Sequence, residues 1–140
     1  MIRETLALAA AAATLAWPLP AQAHRVEFER CPEYGKVNCV ADGDHIWLYG
    51  EEVRLEGFTT PSATAPACHA EAELGERAAE RLREVLSAGD FDVTRVSPYN
   101  ENDDGLVLRT IIIGSEEVGA ILVREGLARP GMDKAPGWCG

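Results

Sequence analysis

The sequence predicts an α+β domain in which five short strands form a small barrel and two helices pack against it. Residues 37–62 alternate apolar and polar side chains around two turn signals, Asp42-Gly43 and Gly50, which is typical of three antiparallel strands. A helix pattern follows the third strand, and another follows the fifth. This order of elements fits a five-stranded OB-type barrel with two packed helices.

The third strand places charged and apolar side chains on opposite faces of the sheet. Val53 and Leu55 alternate with Arg54 and Glu56, and successive residues of a strand point to opposite faces. A Thr-Thr-Pro turn follows this strand, and the hairpin before it carries Asp44. We therefore expect Asp44, Arg54 and the Thr-Thr-Pro turn to lie close together at one end of the sheet.

The first helix is predicted over residues 70–88, and Gly89 follows it as a typical C-cap. Glu and Arg side chains cover one face, which is most simply a solvated helix surface. The opposite face is apolar at helical spacing and consists of Leu74, Ala78, Leu82, Val85 and Leu86.

Two strands and a second helix complete the domain. Residues 91–96 alternate and predict the fourth strand. Residues 106–113 are strongly apolar, as expected for a strand that is buried on both faces or closes a barrel. The second helix is predicted over residues 116–125, with Ser115 as its N-cap and Gly126 at its end.

The first 23 residues have the pattern of a secretory signal peptide. Arg3 gives a short positive start, residues 6–17 are apolar, and residues 21–23 (Ala-Gln-Ala) suit a signal peptidase. The alternative is an uncleaved membrane anchor, which the short apolar stretch disfavours. We therefore expect one exported domain, residues 24–140, that is periplasmic or secreted, monomeric and free of the membrane.

The chain is strongly acidic. It has 23 acidic and 13 basic side chains, of which the leader contains only Glu4 and Arg3, so the mature chain keeps the net charge of −10. Basic side chains that contact phosphate supply most non-specific affinity for nucleic acid. The charge therefore argues against a nucleic-acid-binding class, and we expect DNA and RNA to bind only weakly.

Four cysteines in a small exported domain predict two disulfides. Three pairings are possible, and we favour Cys31–Cys39 together with Cys68–Cys139. The first pair is close in sequence and ties the N-terminal arm to the first strand, while the second pins the C-terminal tail to the segment before the first helix. The chain has no Cys-x-x-Cys pair, which disfavours a cysteine-based metal or redox site.

Two side chains of the second strand, His45 and Trp47, are expected to have structural roles. Trp47 alternates with Ile46 and Leu48, and we expect it to pack in the barrel rather than to stack on a base. His45 follows Asp44 and is expected on the opposite face of the sheet, where packing or simple exposure is favoured over ligation.

Two blocks of the sequence resemble the staphylococcal nuclease-like (thermonuclease) family. The first block contains residues 42–45 (Asp-Gly-Asp-His), 54–55 (Arg-Leu) and 59–62 (Thr-Thr-Pro-Ser), in the register of the family motifs Asp-Gly-Asp-Thr, Arg-Leu and Asp-Thr-Pro-Glu. The second block, residues 122–129 (Leu-Val-Arg-Glu-Gly-Leu-Ala-Arg), resembles the last helix of the family. The resemblance covers residues 36–130 and implies the same OB-type fold.

The resemblance also implies a set of site residues. In the family, two Asp carboxylates and a Thr carbonyl hold calcium, a Glu prepares the attacking water, and two Arg bind the phosphate. By position, Asp44 and the backbone carbonyl of Thr60 would contact the metal, and Arg54 would bind the phosphate. Calcium is the cofactor implied if the domain is active, and otherwise we expect none.

Three family positions are substituted in this chain. Thr59 replaces the second calcium carboxylate, Ser62 replaces the Glu, and counting back from Gly126 puts Leu106 at the second Arg. Catalytic groups that act as a unit contribute little to the rate when one of them is missing. We therefore expect a nuclease-derived pseudoenzyme or binding domain with little or no nuclease activity, whose partner is a small anion, a glycan or a protein.

Two other classes of function stay open. A calcium-dependent phosphodiesterase with a rebuilt site would use Glu56 as a replacement carboxylate. Arg109 is discounted as the second Arg, because an odd shift of a strand inverts its faces. The third class is a structural envelope protein without a ligand, in which Asp44 only closes the hairpin and Arg54 pairs with Glu56.

Overall fold

The computed structural model describes residues 25–95, 106–133 and 137–140 and has the α+β class that the sequence predicts. The predicted signal peptide lies outside these ranges. In chain order the elements are β1 (Glu29–Arg30), β2 (Cys39–Asp42), β3 (His45–Leu48), β4 (Glu51–Leu55), β5 (Phe58–Thr59), α1 (His69–Ser87), β6 (Asp92–Arg95), β7 (Val107–Ile113), β8 (Glu116–Glu117), α2 (Val118–Arg124) and β9 (Arg129–Pro130).

Seven strands form one mixed sheet in the order β1-β2-β3-β4-β7-β6, with β8 paired to β7. Strands β2, β3 and β4 are antiparallel neighbours, as predicted, whereas β1 and β7 join this meander in parallel. A separate two-stranded sheet contains β5 and β9. In the part of the chain that the structure describes, the large sheet is open, with β1 and β6 at its edges. The structure therefore differs from the predicted closed barrel of five strands.

The chain leaves the large sheet directly after β4. Gly57 has a φ of +91°, a conformation that favours glycine. The next residues, Phe58 and Thr59, pair with Pro130 and Arg129 of the C-terminal tail. The segment after β4 thus adds to a second small sheet instead of closing the first, a long-range pairing that strand alternation does not reveal.

The first hairpin turn lies one residue later than predicted. Asp42 pairs with His45, so the two-residue loop consists of Gly43 and Asp44. A Cβ atom on Gly43 would lie only 2.8 Å from Cγ2 of Thr60. Glycine at this position therefore allows the hairpin to approach the segment that follows β5.

The second turn contains two successive residues in the left-handed conformation. Tyr49 has a φ of +51° and Gly50 a φ of +83°, which is typical of a type I′ hairpin. The backbone N–H of Tyr49 donates to Oδ1 of Asn38 at 2.8 Å, and the N–H of Gly50 donates to the carbonyl of Val37 at 2.9 Å. The loop before β2 therefore braces this turn.

The observed helices refine the predicted boundaries. Helix α1 agrees to within one residue at each end, but Gly89 lacks the positive φ of a glycine cap. Helix α2 begins later than predicted, because Glu116 and Glu117 pair with β7 as strand β8. Its N-cap is Glu117, so the prediction of Ser115 as the cap is wrong.

Helix α2 ends in a Schellman motif at Gly126, as the sequence predicts. Gly126 has a φ of +74°, and its N–H donates to the carbonyl of Val123 at 3.0 Å. The N–H of Leu127 donates to the carbonyl of Leu122 at 2.9 Å. These two bonds satisfy carbonyls that the end of the helix would otherwise leave without partners.

Replacing Gly126 with alanine is expected to lower the free energy of unfolding by about 1–2 kcal/mol, because a Cβ atom disfavours the left-handed conformation. The surrounding space is open, so no steric term adds to this cost. Urea unfolding measures the change. Gly137→Ala, at another open position, is the control, and an equal effect of both substitutions would contradict the assignment to backbone conformation.

The core lies between the large sheet and α1, which also packs against α2. The apolar face predicted for the first helix is largely buried there. Among the described residues, the fully buried Val, Leu and Ile side chains are Val40, Ile46, Val53, Leu55, Leu82, Leu86, Ile111, Val118 and Leu122.

Both predicted disulfides are present. Cys31 is bonded to Cys39, which links the segment after β1 to β2, and Cys68 is bonded to Cys139. Cys68 is also the N-cap of α1, so the second bridge fastens the tail to the start of this helix. No helix within the described ranges is both long and apolar enough to cross a membrane.

Candidate functional site

The structure brings Asp44, Arg54 and Thr60 together at one end of the sheet. The Asp44 carboxylate forms an ion pair with the Arg54 guanidinium and accepts the backbone N–H of Thr60 at 2.9 Å. The side chains of Asp44 and Arg54 are only 10% and 11% exposed. The alternation of β4 allows this grouping, as expected from the sequence.

Two backbone carbonyls near this end of the sheet also hold Arg54 in place. Its guanidinium also donates to the carbonyls of Asp44 and Phe58, at 3.2 and 3.4 Å. Register explains the partner: Arg54 lies opposite His45, directly beside Asp44 in the hairpin. Among the described residues, Arg54 forms no ion pair with Glu56, the alternative partner.

The two threonines after Gly57 serve the local structure. The Thr59 hydroxyl donates to the carbonyl of Gly131 at 2.9 Å, so this side chain contacts the C-terminal tail. Thr60 approaches Asp44 through its N–H. Its hydroxyl oxygen is buried without a hydrogen-bond partner among the described groups.

Asp42 organises the loop that follows Pro61, a role that was not predicted from the sequence. Its carboxylate accepts the N–H groups of Ala63 and Thr64 at 2.7 and 3.1 Å. It also accepts the hydroxyls of Ser62 and Thr64 at 3.2 and 2.7 Å. The only sequence signal for this role is an Asp at the end of a buried strand, and it does not specify the loop that is bound.

Ser62 is fixed by a second carboxylate as well. Its N–H donates to Glu71 at 3.1 Å, and the other oxygen of Glu71 accepts the N–H of Ala67 at 2.8 Å. Ser62 therefore belongs to a hydrogen-bonded connection between the loop and the first turn of α1.

Strand β7 lies beside β4 and carries Arg109. Leu108 lies opposite Arg54, and Arg109 lies opposite Leu55. Paired residues of parallel strands share a face, so Arg109 points away from the face of Arg54. The Arg109 guanidinium instead contacts Glu51, at 3.4 Å. Leu106, the residue at which the resemblance places the second Arg, lies just before β7 and is half-buried.

Glu56 follows β4 and donates its backbone N–H to the carbonyl of Arg109 at 3.0 Å. Its carboxylate forms no hydrogen bond or ion pair with the residues that the structure describes. The structure thus provides a half-buried carboxylate near the end of β4, but no contact between Glu56 and Asp44.

The donor set at this end of the sheet does not fit calcium. Across residues 25–95, 106–133 and 137–140, no group of three His, Cys, Asp or Glu side chains could hold a metal ion. Calcium requires six to eight oxygen ligands. Asp44 offers one carboxylate, and its Oδ2 already accepts both Arg54 and the N–H of Thr60.

A second feature lies on the outer face of the β2–β3 hairpin. The His45 ring lies 4.9 Å from the Trp47 ring between centroids, and its Nε2 lies 2.9 Å from Glu52. The ammonium of Lys36 lies 4.4 Å from the Trp47 centroid. Ile46 is buried while Trp47 is half-buried, so the prediction that Trp47 packs in the interior is wrong.

Comparison with protein-family models gives no match for this chain, and no curated protein shows significant similarity to it.

Proposed function

We propose that this protein is a degenerate member of the staphylococcal nuclease-like family and acts as an exported binding domain rather than as a nuclease. The order of the family motifs supports the family. So does the architecture, in which a three-stranded meander precedes α1 while β7 and α2 follow it. We infer that this arrangement derives from an OB-type barrel. The main support for a loss of nuclease activity is the buried ion pair between Asp44 and Arg54.

The ion pair works against phosphodiester hydrolysis. Such a reaction needs cations on the phosphate and a prepared water. Moving Arg54 to a phosphate would leave the Asp44 carboxylate buried without its partner, which costs about 3–5 kcal/mol in comparable sites. Ser62 cannot act as a carboxylate base, and Leu106 cannot neutralise a phosphate oxygen.

Export to the periplasm or the medium is supported by the leader pattern and by the two disulfides, which persist in oxidising compartments. The net charge of −10 supports weak binding to nucleic acid. We therefore propose that the partner is a small anion, a glycan or a protein. We also propose that the domain needs no cofactor.

A nuclease assay of the oxidised mature chain, with calcium and with a chelator, tests the proposal. We expect no calcium-dependent cleavage of DNA or RNA above background. Restoring one family residue should change almost nothing, because the three missing groups act together. Thr59→Asp with Ser62→Glu and Leu106→Arg is the smallest set expected to raise activity, provided that the tail tolerates the loss of the Thr59–Gly131 bond.

Calcium-stimulated cleavage by the unmodified chain, abolished by Asp44→Ala, would contradict the proposal and favour a rebuilt site, with Glu56→Gln as the next variant.

Fluorescence anisotropy with single-stranded DNA is the matched binding measurement. Submicromolar affinity at physiological salt would contradict the weak binding that we expect from the charge.

A further inference from the structure

The outer face of the β2–β3 hairpin contains a concavity of about 300 Å³. This volume is at the lower end of the roughly 300–1,000 Å³ found for small-molecule sites, so it suits a ligand of about one ring. The concavity does not include Asp44, Arg54 or Thr60. Its polar and aromatic walls are formed by Arg30, Lys36, His45, Trp47 and Thr64.

The charge of the concavity is opposite to that of the protein. No acidic side chain lines it, although the net charge of the chain is −10. Arg30 supplies a fixed positive wall, but its charge is paired with Glu76 and most of its N–H donors are already used. They bind Glu76 at 2.6 Å and the carbonyls of Val40 and Ala41 at 3.2 and 3.3 Å.

Lys36 is the cation that can bind a ligand. Its ammonium lies over the Trp47 ring and has no carboxylate partner within the described ranges. A cation–π contact at an exposed site contributes only about 0.5–1 kcal/mol. The three N–H donors of Lys36 are therefore available for a stronger charge-assisted hydrogen bond.

We propose that this concavity binds a single sugar ring that carries one carboxylate, such as a hexuronate. One uncommitted cation matches one negative charge, whereas a dianion or a polyanion would leave charge uncompensated in this acidic protein. Pro32 provides an apolar surface in the wall of the concavity for the ring. This inference rests on the binding role proposed above, but not on the family.

Two groups with remaining hydrogen-bonding capacity suit the hydroxyls of the ring. The Thr64 hydroxyl donates to Asp42 and keeps its oxygen as an acceptor. Nε2 of His45 contacts Glu52, which leaves Nδ1 for a ligand. A carboxylate on Lys36 and hydroxyls on Thr64 and His45 together define an acidic sugar rather than a simple carboxylate.

Isothermal titration calorimetry of the oxidised mature chain with glucuronate, glucose and inorganic phosphate tests this assignment. We expect glucuronate to bind at least about tenfold more tightly than glucose or phosphate. Lys36→Gln should weaken glucuronate binding about 10- to 100-fold, as expected for the loss of a charge-assisted hydrogen bond. Lys36→Arg should keep most of the affinity, which separates charge from folding.

The matched control is Arg77→Gln, which removes one positive charge from an exposed position of α1 outside the concavity and should change the affinity less than about twofold. Equal binding of glucose, tighter binding of phosphate, full affinity in Lys36→Gln or no binding of glucuronate at all would each overturn the assignment. The nuclease assay reports on the proposed function separately, so the two failures can be distinguished.

Discussion

Replacing Gly75 with alanine is expected to lower the free energy of unfolding by about 2 kcal/mol or more, although alanine normally stabilises a helix by about 1 kcal/mol relative to glycine. A Cβ atom at this position would lie 2.4 Å from the carbonyl carbon of Ser62 and 2.5 Å from the backbone nitrogen of Ala63. These are backbone atoms, so no side chain can rotate out of the way.

The loop that Gly75 contacts is also held from its other side. Asp42 accepts the N–H of Ala63, and Glu71 accepts the N–H of Ser62. Relief of the clash would therefore break hydrogen bonds of buried or half-buried groups, each of which costs about 1–3 kcal/mol when it leaves a partner unsatisfied.

Urea unfolding of the oxidised chain measures the effect of Gly75→Ala. Gly89→Ala is the matched control, because a Cβ atom there meets nothing within 4 Å and the backbone φ is not positive. It should leave the stability within about 0.5 kcal/mol of the original, the usual range for such positions. A stabilised Gly75→Ala variant would show that the loop shifts freely.

Replacing Arg54 with methionine is expected to lower the free energy of unfolding by about 3–5 kcal/mol, because it leaves the buried Asp44 carboxylate without its cation. Asp44→Asn should be less severe, since the amide oxygen can still accept the N–H of Thr60. The double variant should cost less than the sum of the two single changes, because it leaves no unpaired charge.

Arg81→Met is the control for Arg54→Met. Arg81 pairs with Glu125 across the two helices at 2.8 Å, but its side chain is 38% exposed. Solvent screening limits the contribution of such a pair to about 0–1 kcal/mol. If urea unfolding shows equal losses for the two variants, or additive effects of Arg54→Met and Asp44→Asn, the Asp44–Arg54 pair is not the buried, coupled unit described above.

Much of the fold follows from local patterns. The alternation of Val53 and Leu55 with Arg54 is that of a half-buried strand, and the left-handed Gly126 ends α2 at the position where the sequence predicts it. The disulfide pairing also agrees with the spacing of the cysteines. Dihedral preferences of neighbouring residues indicate the strand and the helix end, and the even number of thiols indicates two disulfides without selecting among the three possible pairings.

The candidate site was only partly accessible to sequence reasoning. Periodicity places Arg54 on the face away from Val53, but it does not choose between Glu56 and Asp44 as its partner. Register across the β3–β4 hairpin makes that choice. In the same way, alternation identifies Trp47 as a member of one face without showing that the face is the outer one.

The sequence by itself determined the α+β class, the meander, the two helices and the number of disulfides. Only the tertiary structure decided that the large sheet is open in the described ranges, that Thr59 contacts the tail and that Gly75 lies against the backbone of Ser62. The reason is physical. Local propensity acts between neighbours, whereas close approach, burial of an ion pair and strand pairing arise from segments that are distant in the chain and meet only after folding.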